Sequence, residues 1–193
     1  MHENNHSTPC SDAQLPIDEF ICHASEHVEQ MLKAGVPRCE ILTRLARAGE
    51  VLAGPDTSVS ILVIDEDGLL RNGSSPNLPL DYLNAIDRLK PDAKVGTCAA
   101  AAATGSVVIT PDFFADDKWA ELRHLPSSLG YVGAWSMPIL APGGPVLGTF
   151  GTYFRARRTP TTVEKKGVEL LAAAAALVLT KVESEQSGDS YRP

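Results

Sequence analysis

The chain has 193 residues, 44% of them hydrophobic and 21% charged, with a formal net charge of −7. A chain of this length buries about 70% of its extended surface on folding, and the composition is that of an ordinary globular domain, which excludes a disordered or fibrous body. The negative charge argues against general nucleic-acid binding, which needs clustered Lys and Arg, and no stretch reaches the roughly 20 apolar residues of a membrane crossing.

Residues 1 to 16 mix Asn, His, Ser, Pro and Asp without periodicity and read as a flexible tail with no signal-peptide pattern, so a cytoplasmic protein is expected. Cys10, Cys22, Cys39 and Cys98 are widely spaced and fit reduced thiols rather than a disulfide framework or a zinc site. Residues 17–35 carry Ile17, Phe20, Ile21, Ala24, Val28, Met31 and Leu32 at helical spacing, ending at Gly35 and Pro37. A second helix places Ile41, Leu42, Leu45 and Leu52 inward and ends near Gly54-Pro55.

The period then changes. Val59 to Ile64 is β-branched, Asp65-Glu66-Asp67-Gly68 is a turn signal, and Leu69 to Arg71 returns as a short strand. Ser75 to Pro79 read as a loop, and Asp81 caps a helical turn through Ile86. Thr97-Cys98 followed by Ala99 to Ala103 predicts a short helix with Thr97 as N-cap and Gly105 as its stop. Its small side chains leave first-turn N–H groups open to an anion or carbonyl, and serve equally to let the helix lie close against a sheet.

Val107 to Thr110 is a strand broken by Pro111-Asp112, and the polar, aromatic-dotted stretch from Phe113 to Gly130 contains one helix around Lys118 to His124. Tyr131–Leu140 and Val146–Phe154 are strands joined by Ala141-Pro142-Gly143-Gly144-Pro145. The last helix, Thr162 to about Val182, puts Val168, Leu171, Ala175, Val178 and Val182 on one stripe, with Thr161 or Thr162 capping its first turn near Glu164; residues 184–193 form a second tail. This order describes an α+β domain, an antiparallel sheet with terminal helices on one face and irregular crossovers on the other.

Ile61-Leu62-Val63-Ile64-Asp65-Glu66-Asp67-Gly68, Val95-Gly96-Thr97-Cys98, Pro111-Asp112, Trp135-Ser136-Met137-Pro138-Ile139-Leu140 and Val146-Leu147-Gly148-Thr149-Phe150, in that order, resemble the motifs of a GAF domain over residues 36–183. The resemblance implies a six-stranded antiparallel sheet, terminal helices behind it and a small-molecule pocket in front. Because the match covers most of the chain, any signal is expected to pass to a separate partner such as a sensor kinase, or through a homodimer of the terminal helices. In this the chain is similar to nitrate-receptor GAF proteins, which seat the anion at a helix N-terminus like that of Thr97 and Cys98.

The expected function is therefore a non-enzymatic sensor of a small ligand, with an inorganic anion such as nitrate as the candidate. Cys98, Ala99 and Ala100 supply the backbone donors at the helix start capped by Thr97, and Trp135, whose indole N–H only donates, forms the wall with the strand backbone. Phe113, Phe114 and Trp119 pack the lid. The alternatives are a redox enzyme of the free methionine-(R)-sulfoxide reductase type, resembled by Gly96-Thr97-Cys98-Ala99, and a protein–protein module without a ligand.

The reductases use a further cysteine in the loop after Pro-Asp, and residues 111 to 140 contain none, so Cys98 reads as a small buried group. His23 and His27 have ligand spacing but no third partner, and His124 reads as a surface residue that could line the pocket. No metal, haem or other cofactor is expected.

Overall fold

The computed structural model describes residues 17–186. Both expected tails fall wholly or mainly outside these residues. In chain order the elements are α1 (Ile17–Cys22), α2 (Ala24–Lys33), α3 (Arg38–Ala53), β1 (Thr57–Ile64), β2 (Leu70–Ser74), α4 (Leu80–Ala85), α5 (Thr97–Thr104), β3 (Val108–Thr110), a 3-10 turn (Asp117–Trp119), α6 (His124–Ser128), β4 (Gly133–Leu140), β5 (Val146–Phe154) and α7 (Thr162–Gln186).

The strands form one antiparallel sheet in the order β2-β1-β5-β4-β3. Five strands are present where the resemblance implied six. The position next to β2 holds only a single bridge, Leu70 to Leu89. Extension stops there because Arg88 sits at a positive φ of 61° and Pro91 has no N–H to give to a ladder.

Side-chain alternation gives the sheet two buried faces. On one, Val59, Ile61, Trp135, Ile139, Phe150 and Phe154 pack with Val28 of α2, Ile41 and Leu45 of α3, and Val168, Leu171 and Val178 of α7. This is the helix-side core. On the other face Leu62, Ala134 and Tyr153 pack with Tyr82, Cys98, Ala99, Phe113 and Trp119 from the crossovers. Val28, Val168, Leu171 and Val178, the stripe from which dimerisation was expected, are thus covered within one copy, and Phe20 and Met31 pack partly buried against the same core.

Several local expectations are corrected. The helix expected over 17–35 is broken at His23, where φ −112° and ψ 23° leave the helical range, so α1 and α2 are separate. Helix α4 begins at Leu80 with Pro79 preceding it, and Asp81 lies in the first turn rather than at the cap. The single crossover helix is two short pieces. Asp116 accepts a hydrogen bond from Lys118 N (3.1 Å) and caps the 3-10 turn, and Pro126, lacking an N–H, sits only in the first turn of α6.

The start of α7 follows the sequence. Thr161 Oγ1 accepts from Glu164 N (3.1 Å) while Glu164 Oε2 accepts from Thr161 N (2.7 Å), a reciprocal capping box. Arg158, from the chain just beyond β5, donates to both carboxylate oxygens at 2.9 and 2.7 Å and to Ala53 O at the end of α3. Burial opposes ionisation of Glu164, but the Arg158 and Thr161 hydrogen bonds outweigh it and hold this carboxyl below its ordinary value.

Candidate functional site

The site lies on the crossover side of the sheet, where α5 rests on β4 and β5. Its closeness is set by small residues. Ala99, Ala100, Ala101 and Ala102 are buried, and the opposing position on β5 is Gly151, where a β-carbon would lie 2.8 Å from Cys98 Sγ. Gly96, at φ 52°, turns the chain into α5, and Gly105, at φ 63°, ends it.

Gly96 rather than Thr97 is therefore the N-cap. Thr97 is the first helical residue and is buried; its Oγ1 accepts from Ser136 Oγ at 3.1 Å instead of capping the helix. Cys98 Sγ is 3.1 Å from the same Ser136 Oγ. Burial pushes the Cys98 thiol above its ordinary value, and the hydrogen bonds around it only partly offset this, so the sulfur is a neutral thiol at pH 7.

A small, partly open cavity of about 20 Å³ adjoins the start of α5. It is lined by Gly96, Thr97, Cys98 and Ala99 at the start of α5, by Tyr82, Ile86 and Tyr153, and by Trp119 and Leu122 of the crossover. Tyr82 Oη donates to Tyr153 Oη at 2.9 Å, and Tyr131 Oη, on the same face, bonds Ser58 Oγ. Burial raises both the Tyr82 and Tyr153 hydroxyls above the ordinary tyrosine value, so every side chain lining the cavity is neutral.

The crossover from Pro111 to Gly130 is pinned at intervals. Arg157 pairs with Asp112 (2.9 Å), Phe113 N donates to Val132 O (2.8 Å), and Thr110 Oγ1 donates to Asp116 (2.6 Å). Burial works against the Asp116 charge, yet the hydrogen bonds from Lys118 and Thr110 bring its carboxyl below the usual value. Gly96 N donates to Lys118 O (2.8 Å), joining the crossover to the cap of α5. Phe113 and Trp119 pack with ring centroids 4.2 Å apart, whereas Phe114, expected to help pack the lid, is 64% exposed beneath Arg123.

Thr97, Cys98 and Ala99 are brought together at the cavity. Ala100 is buried behind them. Trp135 does not line this cavity. It pairs across the ladder with Thr152 and points into the helix-side core, while its neighbours Ala134 and Ser136 face α5. The wall expected of Trp135 is made by Tyr82, Tyr153 and Trp119, and the sequence offered no strong signal for the two tyrosines.

The histidines stay outside. His124 is exposed at the start of α6, and the His23 and His27 rings lie 6.5 Å apart, with His23 beside Glu26 and His27 stacked on Phe20. Among the described residues no group of three or more His, Cys, Asp or Glu is placed to hold a metal ion. No described helix is long and apolar enough to cross a membrane.

An antiparallel sheet with helices on one face and crossovers over a small cavity on the other defines an α+β module. The chain belongs to the GAF domain family, which matches residues 39–180. Solved structures agree on the fold. The GAF domain of a phosphoenolpyruvate-protein phosphotransferase from Coxiella burnetii superposes with a TM-score of 0.69 at 14% identity, over 88% of this chain and 98% of that one.

A domain of a putative two-component sensor histidine kinase protein from Sinorhizobium meliloti 1021 gives 0.64 at 18%, over 79% and 96%. The reduced free methionine-R-sulfoxide reductase of Staphylococcus aureus gives 0.61 at 12%, over 86% and 97%. No protein of curated function matches the chain significantly.

Proposed function

We propose that this GAF domain is a non-enzymatic sensor of a small ligand, seated between the sheet and the crossover at the first turn of α5, with an inorganic anion such as nitrate as the candidate. The observation that carries this reading is the small cavity bordered by Gly96, Thr97, Cys98 and Ala99. The first N–H groups of a helix have no partner within it, and the helix dipole favours negative charge there. Its partners on this reading are the ligand and a separate signalling protein such as a sensor kinase. Self-association through the terminal helices would have to use surface other than the Val28, Val168, Leu171 and Val178 stripe, which is spent within one copy.

A ligand that binds only the folded state at a hundredfold excess over Kd stabilises it by about 2.7 kcal/mol, which raises the melting midpoint of a domain this size by roughly 5–10 °C. Millimolar nitrate is expected to raise the midpoint above that in equal chloride. Thr97→Pro is a suitable control, because proline is favoured at the first helical position yet removes the donor there. It should erase the nitrate difference while the fold persists. Equal midpoints in the two salts for the wild type would exclude nitrate.

The reductase reading draws on the fold shared with the Staphylococcus aureus enzyme. Against it, Cys98 is buried and neutral, while Cys22 and Cys39 are exposed on helices of the opposite side. Consumption of free methionine sulfoxide by purified protein with a thiol reductant, lost in Cys98→Ser, would establish it instead.

A further inference from the structure

Among the described residues, six buried side-chain polar atoms have no hydrogen-bond partner: His27 Nε2, Trp119 Nε1, Ser127 Oγ, Trp135 Nε1, Thr149 Oγ1 and Thr152 Oγ1. Only Trp119 among their residues also lines the cavity at the start of α5. It is 4% exposed, and its six-membered ring lies beside Gly96, where a β-carbon would be 3.7 Å from Cζ2. An indole N–H can only donate, and a buried donor without an acceptor is a desolvation cost that native structures seldom leave unmet. The other orphan indole, on Trp135, faces the helix-side core beside the equally unpartnered Thr152 and adjoins neither this cavity nor α5.

The first-turn N–H groups of Thr97, Cys98 and Ala99, residues lining the same cavity, have no partner within α5, whereas Gly96 N is taken by Lys118 O. The remaining polar groups are already engaged: the Tyr82 and Tyr153 hydroxyls with each other, and the Cys98 thiol and Thr97 hydroxyl with Ser136. No Lys, Arg or His lines the cavity, and neither does any Asp or Glu. Donors without countercharge suit an acceptor that sheds its hydration readily, and burying a divalent anion here would cost far more than burying a monovalent one.

We infer that Trp119 is the specificity-determining donor of this site: its indole N–H and the first turn of α5 together grip a small monovalent oxyanion or a planar carboxylate of a few heavy atoms. The inference rests on the reading that this cavity is the ligand site, and adds to it the residue and the ligand class. A cavity of about 20 Å³ holds little more than one water. A four-atom anion therefore requires Trp119 and Leu122 to draw back from α5, against the Gly96 N–Lys118 O bond that already joins the crossover to the helix.

The test is a titration of the full-length 15N-labelled protein with nitrate and with formate, and separately with sulfate, followed through the two tryptophan indole N–H resonances and the amides of Thr97, Cys98 and Ala99. The expected result is a saturable shift of the Trp119 indole and the α5 amides with nitrate or formate, with the Trp135 indole still and sulfate without effect. Trp119→Phe, which keeps an aromatic ring against Phe113, should weaken binding about tenfold or more, the worth of a hydrogen bond to a charged acceptor. Shifts in the α5 amides with an unmoved Trp119 indole would overturn the inference and leave the site reading intact. No shift of either with nitrate or formate would overturn both, and an equal response to sulfate would overturn the ligand class.

Discussion

The closeness of α5 to the sheet depends on the absence of a side chain at Gly151, and Gly151→Ala tests that directly. The added β-carbon would meet Cys98 Sγ at 2.8 Å and Ser136 Oγ at 3.3 Å. Apolar atoms prefer about 3.5–4.0 Å, so α5 or β5 has to give by most of an ångström. Overpacking of this kind costs about 1–3 kcal/mol, which for a chain of this size lowers the melting midpoint by roughly 2–12 °C.

Cys98→Ala removes the closer of the two obstructing atoms, at a cost of its own of about 1 kcal/mol for the lost packing and hydrogen bond. In the double variant the overlap is largely relieved, so the two costs should fall short of their sum by about 1–2 kcal/mol. Urea unfolding of the wild type, both single variants and the double variant measures this coupling. Strictly additive losses would refute the claim that Cys98 and Gly151 set the seat of α5.

Trp135→Ala should cost about 3–5 kcal/mol, since the indole fills the helix-side core, while any nitrate-induced rise in midpoint persists; loss of that rise would return Trp135 to the site. Glu164→Gln should destabilise by roughly 1.5–3 kcal/mol at neutral pH, through the lost charge on the Arg158 fork. Because the Glu164 carboxyl is held below its ordinary 4.5, its contribution is complete above that pH and fades as pH falls through the lower folded value, so the two proteins should converge in acid denaturation. In the native protein a thiol reagent should modify Cys22 and Cys39 and spare Cys98, identified by peptide mass mapping; rapid Cys98 labelling would contradict its burial.

Much of this architecture was legible in the chain. The β1–β2 turn at Asp65-Gly68, the Pro-Gly-Gly connection of β4 and β5, and the Thr161/Glu164 box are local signals written in neighbouring residues, and each stands in the structure. The sidedness of β4 was not legible. Alternation puts Gly133, Trp135 and Met137 on one side but does not say which, and a strand buried on both faces gives no polar face to settle it. Pairing with β5 and the helices behind it fixes the sign, and sends Trp135 away from α5.

Likewise the cap of α5 falls on Gly96 because Thr97 has a better use against Ser136, a partner 39 residues on. The site donor on Trp119 escaped for a related reason: an aromatic residue in a loop reads as an anchor, and only the fold shows that its N–H is left unpaired.

Strand β5 is a partition one peptide thick. Thr149, Gly151 and Tyr153 belong to the compartment of Cys98 and Tyr82, and Phe150, Thr152 and Phe154, between and beside them, belong to that of α3 and α7. The alternation runs on past the strand. Arg155 stacks over Tyr131 and holds Leu129 O, Arg157 pairs with Asp112, and Arg158, one residue further, stacks over Phe154 and grips Glu164. A twist of this single segment about its own axis moves the anchors of the crossover and the first turn of α7 together, in opposite senses. The crossover and the long helix are thus joined mechanically through one strand, with no chain of packed side chains needed between them.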